Sequence, residues 1–97
     1  MLWRFSTSNT HLFPGALLRS LDAPDDRHWS SGDDLLLEFS DGVLVSGRLI
    51  EVDPRMAVLQ MPDYRTRRDT NVAARTWRAV PGGEPGLVRV QERLAAA

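Results

Sequence analysis

Leu35-Leu36-Leu37-Glu38-Phe39-Ser40-Asp41-Gly42-Val43-Leu44-Val45-Ser46-Gly47-Arg48-Leu49-Ile50-Glu51-Val52 is the stretch whose reading decides the fold. Leu35 to Phe39 reads as a strand, and Ser40-Asp41-Gly42 as a hairpin turn in which Gly42 supplies a positive φ. Val43 to Val52 is then a long returning strand. Gly47 interrupts it, and glycine inside a strand marks a bulge or a sharp bend. A hairpin bent at Gly47 is suited to wrapping around a small barrel.

Working outward, Asp53-Pro54-Arg55 makes the next turn and Met56 to Met61 a third strand, ended by Pro62. Asp63-Tyr64-Arg65-Thr66-Arg67-Arg68-Asp69-Thr70-Asn71 is too polar for core and reads as a long exposed loop or protruding hairpin. Val72 to Val80 returns as a strand containing Trp77, Pro81 to Gly86 turns, and Leu87 to Gln91 is the last strand. Five strands with short connections predict a mainly β domain, a small, partly open barrel over residues 35–91. Residues 1–34 read as its lead-in. There Phe13, Leu17 and Leu21 fall at i, i+4 and i+8, with Pro14 where a first turn tolerates it, which predicts a short helix. An extended segment competes with that helix, because Gly15 weakens it. Residues 21–34 follow as a polar loop, and the whole chain reads as one domain.

The spacing of residues 35–59 resembles the first motif of the Sm and Sm-like proteins. Its positions are Leu35, Leu37, Phe39, Asp41-Gly42, Val45, Gly47, Leu49, Val52-Asp53, Met56 and Leu59. The resemblance implies a small five-stranded, Sm-like or Src-homology-3-like, partly open barrel preceded by a short helix. In family members that bind RNA, an asparagine after the methionine holds a base and an Arg-Gly pair completes the pocket. Here Ala57 follows Met56, and Trp77-Arg78-Ala79-Val80-Pro81-Gly82 lacks the Arg-Gly adjacency. Base recognition of the family's type is therefore not implied.

Composition narrows the remaining choices. The chain has 97 residues, 42% apolar and 26% charged, as expected of a folded domain with a single core. Cysteine is absent, which removes disulfides, thiolate metal sites and cysteine nucleophiles together. The start of the chain turns polar too soon for a secretory signal, and no segment approaches the roughly 20 apolar residues of a membrane span. A cytoplasmic protein with no membrane association is the expectation. The net charge of −1 is unevenly spread: residues 1–62 hold five Arg against nine acids, and residues 63–97 hold seven Arg against four. A basic half of this kind marks a nucleic-acid face unless folding interleaves it with the acidic half.

Chemistry-bearing clusters are few. Asp22, Asp25, Asp26, Asp33 and Asp34 lack the alternating ligand spacing of a calcium loop and read as turn residues. His11 and His28 lie in separate polar stretches, so no metal site or acid–base pair is assembled from them. Ser30 and Ser31 near His28 and Asp26 hold the letters of a hydrolase triad without a nucleophile elbow, and Gly82-Gly83 lacks the spacing of a phosphate loop. No enzyme, cofactor or metal is expected. The cluster with functional character is Tyr64, Arg65, Arg67, Arg68, Arg75, Trp77 and Arg78. Arginines beside aromatics suit a protein interface, and equally a phosphate backbone with stacked bases. The plain alternative is a buried Trp77 and arginines that solvate a loop. The leading expectation is a non-enzymatic binding module, a bacterial or phage-encoded accessory or inhibitor protein that engages a protein partner through residues 63–71 and the neighbouring strand. The second is an Sm-like nucleic-acid-binding protein, as a ring formed by strand addition between subunits.

Overall fold

A computed structural model describes residues 1–22 and 29–92. Nine strands are present among the described residues: β1 (Leu2–Ser6), β2 (Leu17–Ser20), β3 (Asp34–Glu38), β4 (Leu44–Val52), β5 (Ala57–Met61), β6 (Tyr64–Arg65), β7 (Asn71–Val72), β8 (Arg75–Pro81) and β9 (Leu87–Glu92). Seven form a closed barrel in the order β1-β2-β9-β8-β5-β4-β3, while β6 and β7 make a separate two-stranded ribbon. Neighbours in the barrel run antiparallel except at the seam, where β1 lies parallel to β3 over Leu2↔Asp34 to Ser6↔Glu38.

The central hairpin forms for the reasons its sequence suggests. Period-two alternation sends Leu35 and Leu37 of β3, and Val45, Gly47 and Leu49 of β4, to the interior. Gly42 has φ 87°, which a side chain would resist. Leu59 and Met61 of β5, Trp77 and Ala79 of β8 and Val90 of β9 complete one core. Fully burying an aliphatic side chain contributes about 1.5–3 kcal/mol relative to exposure. The positions that carry the Sm-like spacing are thus mostly barrel-interior ones.

Gly47 does not bulge the strand. It pairs in regular register with Leu35, and the ladder shift in β4 falls between Leu49 and Glu51. What Gly47 provides is space, since a Cβ there would lie 2.8 Å from the Gln60 carbonyl oxygen and 2.5 Å from Met61 Sδ.

Residues 1–34 are more than a lead-in. The expected partly open five-stranded barrel is a closed seven-stranded one, with β1 and β2 supplying the two further strands and the seam. No helix occurs among the described residues, and the helical trio is solvent-facing: Phe13, Leu17 and Leu21 are 38%, 41% and 48% exposed. The buried residues are their chain neighbours Leu12, Ala16 and Leu18. Gly15, at φ 95°, turns the chain into β2, its N–H donating to the Val90 carbonyl at 2.8 Å. Burying Leu18 and pairing with β9 outweigh the weak propensity of so short a helix.

At the β1 entrance Asp33 is buried and accepts hydrogen bonds from Trp3 Nε1 at 2.8 Å and the Ser30 N–H at 2.9 Å. The Trp3 bond foremost, then that from Ser30, holds its carboxyl below the usual range against the opposing effect of burial. Trp29 packs edge-on to Trp3 and Phe5, with centroids 6.2 and 5.8 Å away.

Candidate functional site: the ribbon and the barrel end it overhangs

Strand direction places the ribbon. β1, β3, β5 and β9 finish at the same barrel end at which β2, β4 and β8 begin, so residues 7–16, the Asp41–Gly42 turn and residues 62–74 gather there. Tyr64 fastens the ribbon down. Its ring stacks on Phe39, with centroids 4.9 Å apart and planes at 23°, and its hydroxyl accepts the Leu12 N–H at 3.2 Å. Burial pushes the Tyr64 phenol above its ordinary value, and the Leu12 bond works in the opposite direction.

Asp41 is the second fastening. One carboxylate oxygen accepts the Arg67 N–H at 2.9 Å and the other the Val43 N–H at 3.2 Å. The Arg67 bond, with smaller help from Val43 and the nearby guanidinium, holds the Asp41 carboxyl below its ordinary value of 3.8. The ribbon's tip is closed by the Thr66 N–H to the Thr70 carbonyl at 3.0 Å and the Asp69 N–H to the Thr66 carbonyl at 2.9 Å, with Asp69 at φ 66°. Asp63 accepts the Ala74 N–H across its base.

The predicted site residues divide by this geometry. Arg65, Arg67 and Arg68 are exposed on the ribbon. Arg65 pairs with Asp69 at 2.7 Å, whereas neither Arg67 nor Arg68 makes an ion pair among the described residues. The Arg67 guanidinium lies against Gly42, where a Cβ would meet Nη2 at 3.4 Å. Tyr64 and Trp77 are corrections to a surface site, being 9% and 4% exposed and part of the core. Arg75 sits at the same end with its guanidinium 4.9 Å from the Trp77 ring centre, paired with Glu92. Arg78, on the barrel's outer face opposite Val58 and Gln91, is not part of the group. Its half-buried side chain leaves Nε without a hydrogen-bond partner.

Between ribbon and barrel end lies a cleft of about 420 Å³, walled by Arg67 and Arg68 together with Thr10, His11, Thr66 and Thr70. Sequence reasoning missed Thr10, His11, Thr66, Thr70 and the role of Asp41. These residues come from three distant segments, and the only local signal was Asp41 in its turn. Other sequence-level candidates have structural roles: Asp22 pairs with Arg4 at 3.0 Å, Asp34 with Arg48 at 3.7 Å, and Ser31 Oγ donates to the Ile50 carbonyl at 2.9 Å. Asp25, Asp26 and His28 lie outside the described residues. No protein-family model, curated protein or solved structure matches the chain.

Removing the Asp41 fastening tests this construction. Asp41→Ala is expected to speed amide exchange at residues 64–72 while exchange in β3, β4 and β5 stays protected. Because the folded pKa of Asp41 is depressed, its stabilisation is present above 3.8 and fades as pH falls through the lower folded value. The wild-type ribbon should therefore loosen in acid, and the Asp41→Ala ribbon should lack that acid-dependent step. Equal exchange rates in both proteins at neutral pH would remove Asp41 from this role.

Proposed function

We propose that the chain is a non-enzymatic binding module, an accessory or inhibitory factor, that docks an acidic segment of a protein partner against the ribbon of residues 64–72. The observation that carries this reading is the presentation of Arg67 and Arg68 on a fastened ribbon, exposed and outside any described ion pair. Exposed guanidinium groups attract carboxylates or phosphates, and their field steers association. A protein partner is favoured over single-stranded nucleic acid because the two aromatics grouped with these arginines in the sequence, Tyr64 and Trp77, belong to the core and are not offered to bases. Strand addition into a ring is disfavoured by the closed barrel, which leaves no open barrel edge among the described strands.

The test is charge reversal. Arg65→Glu, Arg67→Glu and Arg68→Glu together should leave the melting temperature nearly unchanged, since exposed substitutions usually shift stability by no more than about 0.5 kcal/mol each. The triple variant should lose the protein captured by wild type from nuclease-treated lysate of the source cells, because repulsion replaces attraction. Capture of the same protein with unchanged affinity would refute the ribbon as the contact surface.

A further inference from the structure

We infer that the cleft between the ribbon and the barrel end seats a bulky apolar side chain of the protein partner, one that stands between carboxylates in the partner's own sequence. This deepens the reading of the ribbon as the contact surface for an acidic segment and rests on it.

The cleft, about 420 Å³, is walled chiefly by carbon, although apart from Val72 its described lining residues are polar by type. From such residues the carbon comes as threonine methyls, imidazole carbons and arginine stems rather than as donor atoms. Long cationic side chains commonly lie in this way, with the stem on apolar surface and the head in water, and Arg67 and Arg68 are exposed. Other polar groups at the wall are already engaged: Thr66 Oγ1 accepts the Thr70 N–H at 3.2 Å, and both Asp41 oxygens accept main-chain N–H groups. Apolar surface continues beyond the cleft, where the Phe13 ring, 38% exposed, lies 5.8 Å from that of His11. An apolar concavity next to an exposed ring is a surface that gains by being covered.

Charge decides what kind of segment brings the apolar group. Two arginines stand against one aspartate around the cleft, so its surround is positive even when His11 is neutral. A side chain entering the cleft carries its sequence neighbours past those guanidinium groups. Carboxylates there are attracted and cations repelled, which selects an acidic segment bearing an apolar anchor. Interfaces in general have this build: binding energy is concentrated in an anchor seated in a pocket, and a polar rim excludes water around it. The cleft is also set in place before the partner arrives, because Tyr64 ties residue 12 to the ribbon and Asp41 ties the turn to it.

Titration of the isotope-labelled protein, followed by amide chemical shifts, tests the assignment. The probes are an end-capped peptide with one phenylalanine between two pairs of glutamates, its form with alanine for the phenylalanine, its form with glutamines for the glutamates, and an oligothymidylate. The glutamate–phenylalanine peptide should shift the amides of residues 10–13, 41–42 and 66–72 and bind about tenfold or more tightly than the alanine form. It should also bind several-fold more tightly than the glutamine form, an advantage that salt removes. Arg67→Gln with Arg68→Gln should erase the preference for glutamate over glutamine and keep the preference for phenylalanine over alanine. Val72→Thr, which keeps the shape and adds a hydroxyl to the wall, should weaken both phenylalanine peptides while the remaining spectrum, and hence the fold, is unchanged.

Equal binding of the phenylalanine and alanine forms, tighter binding of the oligonucleotide, or absence of shifts with the glutamate–phenylalanine peptide would overturn the inference. So would movement of the same amides when the protein alone is concentrated, which would give the cleft to a second copy of the chain. If phenylalanine and alanine bind alike but charge reversal still abolishes capture, the apolar anchor falls and the contact surface stands. If phenylalanine is preferred whatever flanks it and capture survives charge reversal, the contact surface falls and the cleft's preference for an apolar group stands.

Discussion

Gly47→Val is expected to destabilise the protein by about 3 kcal/mol, the upper part of the range for overpacking a core. A domain of this size loses about 4–8 °C of melting temperature per kcal/mol, so thermal unfolding followed by circular dichroism reads the effect directly. The cause is specific. The first side-chain carbon would stand 2.5 Å from Met61 Sδ and 2.8 Å from the Gln60 carbonyl oxygen. The thioether has room to swing away, but the carbonyl belongs to β5 and moves only with the ladder to β4 and β8. Gly47→Ala should act in the same direction with a smaller effect, because it adds that one carbon and no branches. A melting temperature unchanged by valine would show that β4 and β5 do not approach this closely.

Phe5→Ala is expected to cost about 3–5 kcal/mol, the usual loss for emptying a buried aromatic site. Phe5 is 3% exposed, lies on the strand that closes the barrel, and meets Trp29 edge-on at 5.8 Å. The informative control is Leu17→Ala, which should change stability by no more than about 0.5 kcal/mol because that side chain faces outward. A helix bearing Phe13, Leu17 and Leu21 on its buried stripe would invert the order, with Leu17 costly and Phe5 cheap. Chemical denaturation of the two variants separates the alternatives.

The contrast between these residues explains what was legible in the sequence. From Leu35 onward, strands long enough to show alternation are punctuated by Asp41-Gly42, Pro62 and the Pro81–Gly86 turn, and each expected strand is found within a few residues of its place. Before Leu35 the strands have five and four residues and lack a flanking hairpin turn such as Asp41-Gly42 to mark them, so period two does not stand out. The spacing Phe13, Leu17, Leu21 satisfied a helical period by coincidence, and only pairing with β9 at the far end of the chain shows which face is inner. The site was half legible for a related reason. The polar run of residues 63–71 correctly suggested exposure for Arg65, Arg67 and Arg68, but one aromatic inside a polar run carries no periodicity to show that Tyr64 turns inward. Trp77 was readable in principle, since it shares strand parity with Ala79 and both are buried. A cleft assembled from three separated segments leaves no local pattern.

The parallel seam between β1 and β3 also makes closure of the barrel depend on pairings distant in the chain. The β3–β4 and β4–β5 hairpins close over short loops, whereas β2 must find β9 with Leu17 opposite Arg89. Until that long loop closes, β1 and β2 have only part of their pairing, and Trp3, Phe5 and Leu18 lack the enclosed interior. Topologies dominated by such distant pairings fold in about milliseconds to seconds. If β1 docks only after the rate-limiting barrier, substitutions at Phe5 should accelerate unfolding far more than they retard refolding, which stopped-flow measurement of both rates checks. During that interval the uncapped edges of β3 and β9 are the surfaces on which two incompletely folded chains would join.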